Sequence, residues 1–160
     1  MTALHVLIVD DDPALLQALP ETLRLRMNGV TVDTADSAAA ALERISARDY
    51  DAIVADIRMP GMDGLTLLAE ILGRRPDTPT LMITGHGEYD LALRSLRGGA
   101  YDFIQKPIDR DRFVASLHRA IEAHALNRLE KDRRSALGRC VSELELIVVK
   151  LGREGGASHE

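Results

Sequence analysis

Val6-Leu7-Ile8-Val9-Asp10-Asp11-Asp12-Pro13 decides how the chain is read. Four apolar residues without alternation suit a strand covered on both faces, as the central strands of parallel sheets are. The run stops at three carboxylates. Asp12 then stands where a side-chain oxygen caps a helix, and Pro13 sits at the first helical position, where a missing N–H costs nothing. Strand, acidic loop and helix start thus fall within eight residues.

The same alternation continues outward. Ala52 to Ala55, Leu81 to Ile83 and Tyr101 to Ile104, the last interrupted by Asp102, read as further buried strands. Val30-Thr31-Val32-Asp33-Thr34 alternates apolar with polar, which predicts a strand with one wetter face or an edge position. Leu15, Leu16, Leu19, Leu23 and Met27 form one helical stripe; Ala38, Ala41, Leu42 and Ile45, behind a Ser37 cap, form another. Five strands alternating with helices predict an α/β fold, a doubly wound parallel sheet with helices on both faces.

After Pro107 the strand signals end. Phe113, Leu117, Ile121 and Ala125 continue a helical stripe from an Asp109 cap, and the charged stretch 130–135 contains no glycine or proline, so one continuing helix is compatible with it. Leu137, Val141, Leu144, Val148 and Leu151 then recur at the 4-3-4-3 spacing of a coiled-coil seam. Two other outcomes fit this segment: the stripe folds back onto the domain, or Leu146 to Val149 forms a short strand. The last residues, 153–160, read as a frayed tail.

The chain has 160 residues, 46% hydrophobic and 28% charged, with a net charge of −5. That composition buries a core, and the acidic balance argues against direct nucleic-acid binding. The single cysteine, Cys140, excludes an internal disulfide and reads as a small apolar helix residue. Neither a signal peptide nor an apolar run of the ~20 residues a membrane span requires is visible, which predicts a cytoplasmic protein with no membrane partner.

In an open α/β sheet the ligand crevice lies beyond the carboxyl ends of the strands. The residues there are Asp10, Asp11 and Asp12, then Asp56, Thr84 and Lys106. Clustered carboxylates repel unless a cation compensates them, and an all-oxygen set favours Mg²⁺ over Zn²⁺. A hydroxyl and an ammonium opposite them are what the non-bridging oxygens of a phosphoryl group need. Asp56 stands alone at its strand end and is the expected nucleophile; Asp10 and Asp11 form the expected metal pair. Singly, Asp12 is explained as a cap, Thr84 as a turn residue and Lys106 as a surface charge. Together they describe a phosphoryl-transfer site.

The blocks LIVDDDP, VADIRMPGMDG, MITGHG and GAYDFIQKP, in this order and spacing, resemble the receiver domains of bacterial two-component response regulators over roughly residues 4–125. The resemblance implies a flavodoxin-like sheet of order 2-1-3-4-5, Mg²⁺, and phosphorylation by a sensor histidine kinase. It makes Asp56 the phosphoacceptor and Thr84 the switch hydroxyl. It places the metal on Asp11, Asp56 and the Arg58 backbone carbonyl, with Asp10 acting through water. Phe103 falls where receivers carry an aromatic that swings inward; plain core packing is its bland reading. Gly85 is read as room for the phosphodonor, His86 as a solvated loop residue and Pro107 as a cis proline.

On this reading residues 1–126 are the receiver, a self-modifying switch and not an enzyme. Residues 127–152 are a helical extension serving as a coiled-coil or dimerisation segment. GHGEYDLALRSLRGGAYDFIQKP looks most like receivers of enhancer-binding activators, yet no ATPase or DNA-binding domain follows in these 160 residues. The chain is therefore a stand-alone receiver with an extension or a piece of a longer regulator. Two rivals remain. A haloacid-dehalogenase-type phosphohydrolase would use Asp10 and Asp12 as its Asp-x-Asp, but leaves Asp56 unexplained. A degenerate receiver would act only as a dimerisation module, against which the intact motif residues count.

Overall fold

The computed structural model describes residues 3–156. Five strands, β1 (Leu4–Val9), β2 (Val30–Ala35), β3 (Ala52–Asp56), β4 (Thr80–Thr84) and β5 (Asp102–Gln105), alternate with α1 (Pro13–Arg26), α2 (Ala38–Ala47), α3 (Gly64–Arg74), α4 (Tyr89–Arg97) and α5 (Arg110–Gly156). The strands are all parallel, in the order β2-β1-β3-β4-β5. The doubly wound, flavodoxin-like order implied by the motifs is the one observed. β2, with the alternating sequence, is an edge strand and is only partly covered.

Period-two alternation of apolar residues makes two cores. Leu7, Val9, Ile53, Ala55 and Met82 face α2 and α3; Val6, Ile8, Ala52, Val54, Leu81 and Ile83 face α1 and the start of α5. Each wholly buried Leu, Ile or Val contributes about 1.5–3 kcal/mol relative to exposure. The central strands are apolar on both sides, so a register slip by one residue would not hide their pattern.

The caps are where the sequence placed them. Asp12 Oδ1 accepts from the Ala14 N–H at 2.9 Å, Ser37 Oγ from Ala40 at 3.1 Å, and Asp109 Oδ1 from Asp111 at 3.0 Å. Asp63 caps α3 in the same way, through the Thr66 N–H at 2.9 Å, although the sequence reading passed over it. The turn before that cap folds back so closely that the Gly64 N–H donates to Ile57 O at 2.8 Å. A Cβ on Gly64 would lie 2.7 Å from the Ile57 carbonyl carbon, so only glycine fits.

The chain forms two compact units, one ending at His124 and the other beginning at Ala125. The first closes slightly before the boundary at 126 expected from the sequence. In it, Phe113, Leu117, Ala120 and Ile121 of α5 are buried, and His124 Nδ1 lies 3.0 Å from the Asp77 carbonyl. A carbonyl only accepts, so Nδ1 carries the proton.

In the second unit residues 125–156 are helical, which excludes the short strand at Leu146 to Val149. Residues 153–156, expected in the tail, are also helical; glycines at 152 and 155 cost only about 1 kcal/mol each relative to alanine and do not end a helix by themselves. The rest of the expected tail, 157–160, lies outside the described residues. Leu137, Val141, Leu144, Val148 and Leu151 are all exposed, as is Cys140.

Candidate functional site: an acidic pocket at the carboxyl end of the sheet

Strand register brings the predicted residues together. β1 pairs with β3 with Val9 beside Ala55, so Asp10 and Asp56 leave neighbouring strands side by side. β3 pairs with β4 with Asp56 beside Ile83, and β4 with β5 with Thr84 beside Gln105. The Lys106 N–H then donates to Thr84 O at 2.8 Å, fixing the backbone from which the lysine reaches back. The Lys106–Pro107 peptide is cis, as expected.

One carboxylate oxygen from each of Asp10, Asp11 and Asp56 falls within a 4.8 Å cluster, the first and last buried and Asp11 exposed. Lys106 Nζ hydrogen-bonds Asp56 Oδ2 at 3.1 Å and lies 3.9 Å from Asp10 Oδ2. The other Asp56 oxygen accepts from the Arg58 N–H at 3.1 Å. Asp10 Oδ1 accepts from the Asp12 N–H at 2.9 Å, whereas Asp10 Oδ2 is buried without a hydrogen bond. Buried polar atoms are nearly always satisfied, and an orphaned carboxylate oxygen beside two further carboxylates has the chemistry of a cation site.

The electrostatics agree. Burial pushes the Asp10 carboxyl up to about 6, and the charges of Asp56 and Asp11 add to the rise against the Asp12 N–H and Lys106. Burial works to lower the Lys106 ammonium, but its hydrogen bond to Asp56 and the charges of Asp56 and Asp10 outweigh it and hold the pKa raised. One lysine thus offsets part of a three-carboxylate cluster, and the acidic cluster could hold a metal ion.

Thr84 is buried at the end of β4. Phe103 is half-buried on β5 with the Arg112 guanidinium 5.9 Å above its ring, an arrangement of cation–π type. Asp12 is outside the three-carboxylate cluster and its carboxylate caps α1, which removes the second member of the Asp-x-Asp a phosphohydrolase would need. His86 is exposed, as read. Gly85 is not open room: a Cβ there would come within 3.1 Å of Glu88 Cδ, because the Glu88 side chain fills that place. Glu88 was missed in the sequence, where a glutamate before a helix signals nothing beyond a charged helix start.

A sequence profile of the response regulator receiver domain matches residues 6–118, about seven-tenths of the chain. The chain belongs to the response regulator receiver domain family. It is a phosphoryl-accepting switch of the two-component type. This receiver is 44% identical over 153 residues to the C4-dicarboxylate transport transcriptional regulatory protein DctD of Pseudomonas aeruginosa, covering 95% of the chain and 32% of that protein. It is 42% identical over 142 residues to DctD of Rhizobium meliloti, covering 89% and 30%. The receiver therefore spans about a third of the length of these relatives. Among solved structures, NtrX of Brucella abortus superposes with a TM-score of 0.76 at 37% identity over 82% of this chain and 30% of that one. A receiver domain from Clostridium thermocellum gives 0.72 at 27% identity over 77% and 98%. Among the described residues of the receiver, no helix is long and apolar enough to cross a membrane.

Proposed function

We propose that the receiver takes its phosphoryl group on Asp56, with Asp10, Asp11, Asp56 and the Arg58 backbone carbonyl holding Mg²⁺. The observation that carries this is the convergence on one pocket of a buried carboxylate, a lysine hydrogen-bonded to it and two further acids, one with an orphaned buried oxygen. When bound, Mg²⁺ would supply positive charge to the phosphoryl oxygens and offset repulsion among the carboxylates.

An Asp56 oxygen attacks phosphorus; the P–N bond of a kinase phosphohistidine breaks, and the freed imidazole nitrogen recovers its electron pair and takes a proton. Lys106, already on Asp56 Oδ2, neutralises charge that builds on the transferred oxygens. The Arg58 N–H keeps the carboxylate oriented. Thr84 then donates its hydroxyl to the bound phosphoryl group, and Phe103 turns into the space it leaves.

The phosphodonor is a sensor histidine kinase and the setting is the cytoplasm. The test is intact mass after incubation with Mg²⁺ and acetyl phosphate, whose P–O bond breaks to release acetate. One phosphoryl adduct is expected on the wild type and none on Asp56→Asn. No adduct on the wild type, or an undiminished one on Asp56→Asn, would overturn the assignment.

The segment 127–152 serves as a dimer seam. Val141 and Val148 fall at one core position of the heptad and Leu137, Leu144 and Leu151 at the other, the β-branched and leucine combination that favours two parallel strands. All five side chains are exposed on the helix. Leu144→Glu is accordingly expected to convert a dimer to a monomer in light scattering while leaving phosphoryl uptake within about twofold of wild type. A wild type that is monomeric at high concentration would refute the seam.

A further inference from the structure

The loop between β4 and α4 carries a carboxylate that the acceptor chemistry above does not use. Glu88 directly precedes α4, and its backbone already accepts from the Ala92 N–H at 3.1 Å, inside the first helical turn. Its side chain, 18% exposed, folds back rather than outward. Oε1 accepts from the Gly85 N–H at 3.1 Å, and Oε2 accepts from Arg58 Nε.

Those two donors belong to the loop that follows Asp56 and to the loop that follows the neighbouring strand. Gly85 follows Thr84 at the end of the strand paired with that of Asp56, and Arg58 sits two residues beyond Asp56, to which its own N–H is bonded. A backbone N–H and a guanidinium are also the groups that bind phosphoryl oxygens. The Gly85 N–H has one proton to give, so a carboxylate there and a phosphoryl oxygen there exclude one another. The Glu88 carboxylate occupies the space that a Cβ on residue 85 would take, so in this position it uses the absence of a side chain at Gly85.

We propose that Glu88 is an internal stand-in for the phosphoryl group. In the unmodified chain its carboxylate holds the Gly85 N–H and the Arg58 guanidinium; when Asp56 is phosphorylated, a phosphoryl oxygen takes the Gly85 N–H and Glu88 leaves. Glu88 and Arg58 thereby act as positioning residues that set how readily the acceptor is loaded, and Glu88 couples loading to the first turn of α4. This rests on Asp56 as the acceptor.

The test follows loading of the full chain by acetyl phosphate and Mg²⁺, using intact mass against time. Glu88→Ala is expected to load about three- to tenfold faster than wild type, the scale of one competing hydrogen bond. Glu88→Gln falls between them, because its amide oxygen still accepts from Gly85. Combining Arg58→Ala with Glu88→Ala gives no further gain. In NMR spectra the Arg58 Nε–H resonance of the wild type shifts when beryllofluoride, a phosphoryl mimic, is added. Glu88→Ala loading within twofold of wild type overturns the proposal. So does Glu88→Gln matching Glu88→Ala, which reduces the effect to charge, or an Arg58 resonance indifferent to beryllofluoride. An adduct that survives Asp56→Asn overturns the acceptor assignment and this proposal together, whereas a clean Asp56 adduct with no Glu88 effect overturns this proposal alone.

Discussion

Asp10→Asn is expected to make the metal-free protein more stable above pH 6 and to remove most of its stabilisation by Mg²⁺. Asp10 is wholly buried, one of its oxygens has no hydrogen bond, and its carboxyl pKa is raised from 3.8 to about 6. A carboxyl whose folded pKa lies above its unfolded value binds its proton more tightly in the native state. Its contribution is fully present below pH 3.8, declines as pH rises through 6, and stays lost above that. Asparagine escapes the loss, which is on the order of 2 kcal/mol at neutral pH, or about 5–10 °C in Tm for a domain of this size. Calorimetry in chelator should therefore separate the two proteins at pH 8 and bring them together near pH 4. Added Mg²⁺ should raise the wild-type Tm and move the variant little. A variant equally destabilised at both pH values would show that Asp10 is held in the fold for packing and not for a cation.

Lys106→Ala has the largest expected effect on loading among variants that keep the acceptor. Its ammonium lies 3.1 Å from Asp56 Oδ2 and 3.9 Å from Asp10 Oδ2, which, with Asp56 as the proposed acceptor, puts it where negative charge would grow as phosphorus is transferred. Removing one such preorganised positive group typically costs about 10²–10³ in rate. Loading at saturating acetyl phosphate and Mg²⁺ should fall by about that factor. Lys106→Arg should recover only part of it, because a planar guanidinium does not replace a compact ammonium on a single oxygen. Loading within about threefold of wild type for Lys106→Ala would place the lysine outside the transfer step.

Much of this was legible in the chain because the signals are local. The buried strands announce themselves as short apolar runs, and the residue after each run belongs to the crevice by topology. The strand ends alone therefore gather Asp10, Asp56, Thr84 and Lys106 from the sequence. Caps with a proline or a polar residue at the helix start, as at Asp12 and Ser37, were equally visible. The division of labour among the three adjacent aspartates was less so. Spacing cannot tell that Asp10 turns inward and is buried, that Asp11 joins the cluster while exposed, or that Asp12 is spent on α1.

What the chain hid depends on contacts distant in sequence. The Arg58–Glu88 pair spans 30 residues and the Tyr50 hydroxyl to Asp33 bond 17, neither with a periodic signature. Burial, and then the bond to the Asp33 carboxylate, push the Tyr50 phenol up to about 12. The helical end at residues 153–156 was hidden for a different reason: glycine lowers helix propensity without forbidding it, so composition alone read as a tail.

The decisive property is which carboxylate bears phosphorus. An acyl phosphate is reduced by borohydride to the alcohol, so a phosphorylated aspartate becomes homoserine and marks its own position in a peptide map. Reduction of the acetyl-phosphate-treated protein should yield homoserine at position 56, dependent on Mg²⁺ and absent when Lys106→Ala is treated for the same short time. Homoserine at position 10 or 11, or none anywhere in a protein whose mass shows the adduct, would contradict Asp56 as the acceptor.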